Sequence, residues 1–139
     1  QQRFAITGSV NQFGEVQVIG GVNEKIEGFF DLCSARGLDG TQGVVIPAAS
    51  IRHLMLREDV VQAAAEGRFR IHAVKTVDEA MTVLTGVEAG EPDAKGVIPK
   101  GTLNHKIATV LAEMTAARHA YSDAEGAAGA RQHRRRHGV

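Results

Sequence analysis

Hydrophobic positions along this chain repeat in two alternating rhythms, and the order of those rhythms predicts its elements. Residues 3–10 (RFAITGSV) alternate as a strand, with Phe4, Ile6 and Gly8 on one face. Asn11-Gln12-Phe13-Gly14 supplies turn residues, and Glu15 to Ile19 alternates again, which predicts a hairpin. After Gly20-Gly21 the spacing changes: Val22, Ile26, Phe29, Phe30 and Cys33 fall on one face of a helix over about 22–35, closed by Gly37. Val44-Val45-Ile46 is a short apolar strand stopped by Pro47. A short helix over 51–56 follows, with Ser50 as its cap, and another spans 58–66. Residues 69–74 alternate as a strand, and Thr76 caps a helix that Gly86 ends.

This alternation of strands and helices predicts an α/β fold with parallel pairing, the first hairpin adding an antiparallel edge to make a mixed sheet. Residues 1–86 form the domain, and the glycine-rich stretch 87–101 reads as a linker. A C-terminal helix over 102–122 begins at a Thr102 cap. Its Leu103, Ile107, Val110, Met114, Ala117 and Tyr121 follow heptad spacing for a length that suits docking on a neighbour. Residues 123–139 have almost no core formers and are expected to be a disordered basic tail.

Composition narrows the possibilities. Sixteen basic residues balance sixteen acidic ones, so the chain as a whole lacks the basic excess of a nucleic-acid binder. Arg131 and Arg134-Arg135-Arg136 are read as a solvated terminus, since no aromatics accompany them for stacking. The single Cys33 cannot form an intrachain disulfide, which suits a reducing, cytoplasmic setting, and it falls on an apolar helix face. No run approaches the roughly 20 apolar residues of a membrane span. Six histidines are scattered, and only His133 and His137 have helical spacing, so no metal is expected. The start at Gln1-Gln2-Arg3, without Met, reads as a fragment whose upstream part is missing.

Lys25 is the candidate for chemistry. It lies at the margin of the apolar stripe, three residues after Val22 and four before Phe29, in the first turn of its helix. Helix-end charge and apolar neighbours both favour the neutral amine that a lysine general base requires. The same position suits a lysine whose stem covers the core edge and whose head reaches water, and Glu24 and Glu27 stand close in sequence.

The run GEVQVIGGVNEKIEGFF (Gly14–Phe30) closely resembles the lysine segment of Lon-type proteases, in which Gly-x-Val-x-x-Ile-Gly-Gly leads into a helix bearing Glu-Lys. Ile6-Thr7-Gly8, the GVVIPAAS segment and FRIHAVKTVDEAMTVL resemble further family elements, in the family's order over residues 3–86. IPKGTLNHKI is similar to the C-terminal extension of a bacterial Lon-like subgroup. The chain departs from the pattern at Val18, where the family has Pro, and at Ala48-Ala49-Ser50, where it has more polar residues.

The resemblance implies a Lon proteolytic-domain-like fold and an ATP-dependent serine endopeptidase. Lys25 would be the base of a Ser–Lys dyad, Thr7 would help position it, and Gly20 and Gly21 would make the turn that presents it. ATP and Mg would belong to an upstream ATPase module, with none bound by this chain. The partners implied are unfolded protein substrates and further copies in a hexamer, with no membrane or nucleic acid. The family's serine lies several tens of residues before the lysine. Here Ser9 falls near the hairpin turn, Ser34 late in a helix and Ser50 at a cap, so the nucleophile is expected outside this chain. The alternative is a non-catalytic assembly module of the same fold with a vestigial Lys25.

Overall fold

The computed structural model describes the backbone of residues 3–137 and the side chains of residues 3–121. It divides into two compact units, one ending at Ala89 and one starting at Gly90. Among the described residues no helix is long and apolar enough to cross a membrane.

The first unit is built on three parallel strands, β1 (Phe4–Ile6), β4 (Gly43–Pro47) and β5 (Arg70–Val74), in the order β1-β4-β5. Parallel neighbours need long crossovers. These run through α1 (Val22–Arg36) and α2 (Glu58–Ala65). Register places Ala5, Val44 and Ile71 side by side, and Ile6, Val45 and His72 one step further along. Alternation then sends Val44 and Ile46 to one face, where they pack with Val22, Ile26, Phe30 and Cys33 of α1, with Val60 and Ala63 of α2, and with Phe69. Val45 and Val74 point to the other face, against Ala80, Val83 and Leu84 of α3 (Val77–Thr85) and against Val16. Because β4 is covered on both faces, all five of its residues are buried, which is why it reads as an unbroken apolar run.

The sheet is parallel rather than mixed. β2 (Ser9–Val10) and β3 (Val16–Gln17) pair only with each other, as a separate antiparallel ribbon. The expected strand over 3–10 is therefore two short ones, broken at Thr7-Gly8. Its core-facing residue is Ala5, packed in the larger cluster, while Ile6 is exposed. The turn itself forms as expected: Asn11 Oδ1 accepts from the N–H groups of Phe13 and Glu15. The ribbon is tied to the end of β5 by Val16 N–H to the Lys75 carbonyl and by Val77 N–H to the Gly14 carbonyl.

Helix ends follow local chemistry. Thr76 Oγ1 accepts from Glu79 N–H while the Glu79 carboxylate accepts from Lys75 N–H, and Gly86 closes α3 in the left-handed region. The expected helix over 51–56 is instead a 3-10 helix, Ala48–His53, with Ser50 buried inside it and not acting as a cap. Pro47 and Ser50 are buried while Ala49 is exposed, and the three-residue repeat of a 3-10 turn puts Pro47 and Ser50 on one inward face. Arg57 fastens α2 to α1: its N–H donates to Glu27 Oε1, and its guanidinium forks onto Asp31 and onto Asp59. That guanidinium holds both carboxyls below the usual carboxylate range.

In the second unit Thr102 is the cap expected, accepting from His105 N–H and donating to the Pro99 carbonyl. Helix α4 then runs Leu103–His137, not to 122, so the backbone of 123–137 is helical where disorder was expected. The physical reason is the alanine and arginine content of AEGAAGARQHRRRH, which favours helix even without an apolar face. The side chains of the basic residues 131–136, and of His133 and His137, lie outside the described residues. Ile107, Val110, Met114 and Tyr121 are exposed along α4. Cys33 is buried and free, as expected, and burial pushes its thiol up.

Two predictions follow from the sheet. A Cβ at Gly43 would collide with the Arg70 carbonyl oxygen across the ladder. Gly43→Ala should therefore cost about 1–3 kcal/mol, read as a lower urea midpoint at unchanged slope. His72 packs edge-on to Phe4, ring centroids 5.4 Å apart, and its Nε2 is buried with no partner. Burial, helped by the Arg70 charge, holds His72 below its usual 6.5. The unfolded chain therefore takes up this proton first, so His72's contribution is present above pH 6.5 and is lost as pH falls below it. His72→Gln should flatten the fall in stability between about pH 6.5 and 5, a window above that of the lowered carboxyls.

Candidate active site around Lys25

Lys25 stands where the chain turns from the hairpin into α1. Gly21, the residue before the helix, has φ 71° and ψ 30°, a left-handed conformation, and no side chain caps the first turn. The first intrahelical bond is Lys25 N–H to the Gly21 carbonyl. The amides of Val22, Asn23 and Glu24 are thus the unfilled donors of the helix end. Lys25 Nζ folds back to donate to the Gly20 carbonyl at 3.2 Å.

Sequence spacing places Lys25 between Val22 and Phe29, and those residues do pack inward, Val22 fully and Phe29 partly. Their packing does not enclose the lysine, whose side chain is exposed. The apolar shielding expected of its neighbours is absent among the described residues. Glu27 is turned toward Arg57, and Glu24 lies back over the helix end, its Oε2 3.6 Å from where a Cβ on Gly21 would be.

Thr7 follows β1, half-buried, with its N–H bonded to the Val45 carbonyl at 3.0 Å. The structure thus anchors Thr7 to the central strand, whereas the Lys25 head is held by Gly20 and not by Thr7. Among the described residues Ser9, Ser34 and Ser50 make no bond to Lys25. Ser9 is in β2, exposed and paired with Gln17, rather than in the turn. Ser34 is in the last turn of α1, and Ser50 is in the 3-10 helix. Among the described residues no group of three or more His, Cys, Asp or Glu is placed to hold a metal ion.

A cleft of about 420 Å³ opens beside the helix end, lined by residues 18–24 together with Ser50 and His53. Asn23 joins its two walls, Nδ2 donating to the His53 carbonyl and Oδ1 accepting from Met55 N–H. This cleft is not legible in the sequence, where Ser50 has the signature of a helix cap. The signal available was Pro47: in a 3-10 turn Ser50, three residues on, falls on the same buried face. A second cleft of about 590 Å³ lies between residues 15–18, Ala48-Ala49 and residues 74–76.

Comparison with known proteins places this geometry in context. The chain is similar to proteins described as Lon protease homologs. Over 83 residues, 60% of the chain, it is 55% identical to an Escherichia coli (strain K12) protein described as "Putative Lon protease homolog". Over 85 residues it is 51% identical to a protein of the same description from Haemophilus influenzae (strain ATCC 51907 / DSM 11121 / KW20 / Rd). The matched stretch is 14% of the length of either relative, so the chain spans a small part of them. No protein-family model matches the chain.

The two glycines before α1 are not equivalent, which is testable. Gly20 is outside the left-handed region and a Cβ there meets nothing within 4 Å, while Gly21 is left-handed. Gly21→Ala should lower stability by about 1–2 kcal/mol and Gly20→Ala by well under ~1 kcal/mol, compared by urea unfolding.

Proposed function

We propose that this chain carries the lysine half of a Ser–Lys dyad in an ATP-dependent, Lon-type serine endopeptidase. The observation that supports this most directly is the presentation of Lys25 in the first turn of α1 by Gly20-Gly21. It occurs in a chain 55% identical over 83 residues to a relative described as a Lon protease homolog.

In this reading the Lys25 amine takes the proton from a serine hydroxyl as that oxygen attacks a peptide carbonyl. It then returns the proton to the leaving amine. The serine comes from a stretch not among these residues, and its arrival beside Lys25 supplies the desolvation that the exposed side chain lacks here. The Gly20 carbonyl accepts from the Lys25 amine, and the Thr7 hydroxyl steers that amine once the serine is in place. ATP and Mg act in an upstream ATPase module that delivers unfolded protein, and this chain's residues bind neither. The assembled enzyme is a cytoplasmic hexamer without membrane or nucleic-acid partners.

The second reading is a non-catalytic assembly module. It is favoured by the exposed Ile107, Val110, Met114 and Tyr121 of α4, an apolar stripe that suits another subunit.

Casein hydrolysis with ATP by the full-length protein containing this chain separates the two. Lys25→Ala should reduce the rate by at least about a hundredfold while the protein stays folded and assembled. Equal digestion by both proteins would reduce Lys25 to a surface lysine, and no digestion by either would favour the assembly module.

A further inference from the structure

We infer that α4 pairs antiparallel with the α4 of a second copy of this chain, Leu103 of each copy lying against Tyr121 of the other. Leu103, Ile107, Val110, Met114, Ala117 and Tyr121 recur at alternating steps of four and three residues, which is one seam of a helix. Ile107, Val110, Met114 and Tyr121, with Leu111 on the flank of the seam, are exposed by 42% to 67%. Helices in proteins owe most of their stability to burial of such a face. Among the described residues nothing buries this one from Ile107 onward. Its exposed apolar area is on the order of 500 Å² per copy, or about 1,000 Å² for a pair, which reaches the lower limit for a specific interface.

The seam itself selects this occupant and its direction. A twofold axis at Ala112 exchanges the seam positions among themselves. Ile107 then meets Ala117 of the other copy, Val110 meets Met114, and Leu103 meets Tyr121, so each small side chain faces a larger one. A parallel pair would set Ala117 against Ala117 and Tyr121 against Tyr121, a void beside a crowded layer. It would also lay two copies of the arginine-rich residues 131–136 side by side, on helices that continue to His137. The antiparallel pair sends them to opposite ends. Leu111 meets its own copy beside the axis and closes one flank. Glu113 meets its own copy on the other flank, and this like charge makes the pair weaker than its area alone implies.

The inference deepens the assembly reading by naming the occupant, and it is independent of the dyad, since α4 carries neither Lys25 nor Thr7. The test is disulfide trapping in the full-length protein containing this chain, with wild type reporting any link through native cysteines. Leu103→Cys and Tyr121→Cys are made singly, oxidised with copper phenanthroline alone and as a co-expressed mixture, and run on a denaturing, non-reducing gel. The mixture should give a dimer band at least about tenfold stronger than either variant alone, because like positions lie roughly 27 Å apart in this pair. Both substitutions in one chain should still stop at the dimer, as a closed twofold requires. Adding Val110→Lys, at an exposed position outside the core, should weaken the band at least about fivefold, and adding Glu113→Gln should strengthen it about twofold.

Strong bands from either single variant alone would mean a parallel pair, and bands no stronger than wild type would mean that another element covers α4. Either result overturns the inference, as does a ladder of higher species from the double variant. Should Leu103→Cys fail to fold, Ile107→Cys mixed with Ala117→Cys decides in the same way, like positions there being about 15 Å apart. No trapped pair beside a dead Lys25→Ala enzyme removes the pairing only. A trapped pair beside a fully active Lys25→Ala enzyme removes the dyad and leaves the pairing standing.

Discussion

Gly43 meets the Arg70 carbonyl across a ladder too tight for any side chain, and that contact sets the register of the central strand. Once Gly43 is opposite Arg70, the remaining rungs place Val44 and Ile46 toward α1 and α2, and Val45 and Val74 toward α3. A one-residue slip would exchange the two faces and put each apolar set on the wrong side. The same register fixes Val45, whose carbonyl holds Thr7, and Pro47, from which the 3-10 helix carrying Ser50 departs. The polar groups around Lys25 are therefore positioned from a strand that contains none of them.

The α1 end concentrates several demands on few residues. Gly21 must be left-handed, Gly20 must offer its carbonyl to Lys25, and Asn23 must bridge to residues 53 and 55. Val22 and Ile26 bury the helix immediately behind that turn. Backbone conformation, side-chain bonding and core packing thus meet within seven consecutive residues, 20–26. Packing gives the turn its rigidity, while polar atoms remain directed outward. That combination distinguishes it from the end of α3, where Thr76 and Glu79 satisfy the first turn by themselves.

Much of this was legible in the amino-acid pattern, for identifiable reasons. α1, α2 and α3 follow from apolar spacing and their closing residues, and β4 from an unbroken apolar run. The hairpin turn follows from the chemistry of Asn11. Pairing of strands was less legible, because alternation gives a strand's faces and not its neighbour. Nothing in RFAITGSV says that Gly8 lets the chain leave the sheet, so the pattern alone makes the hairpin its edge. Ser50 misled in a similar way: a serine before a helix has the same sequence signature whether it caps or is buried. The extent of α4 was hidden because alanine-rich segments with little apolar character read as disorder or as helix according to context. Lys25 was legible as a position, but its exposure was not, since helical spacing gives neighbours in a stripe and not the depth of burial.

β1 is three residues long and, among the described residues, lies at a sheet edge and pairs on one side only. Short edge strands open by local fluctuation, without the loss of the whole core that separating β4 from its neighbours requires. Thr7 hangs from the last rung of β1, so its place depends on whichever rungs are closed at a given instant. Amide hydrogens at the β1 end of the sheet will exchange with solvent long before those of Val44 to Ile46. The hydroxyl nearest that end thus has a lifetime in position set by fraying, while the helix bearing Lys25 keeps the lifetime of the core.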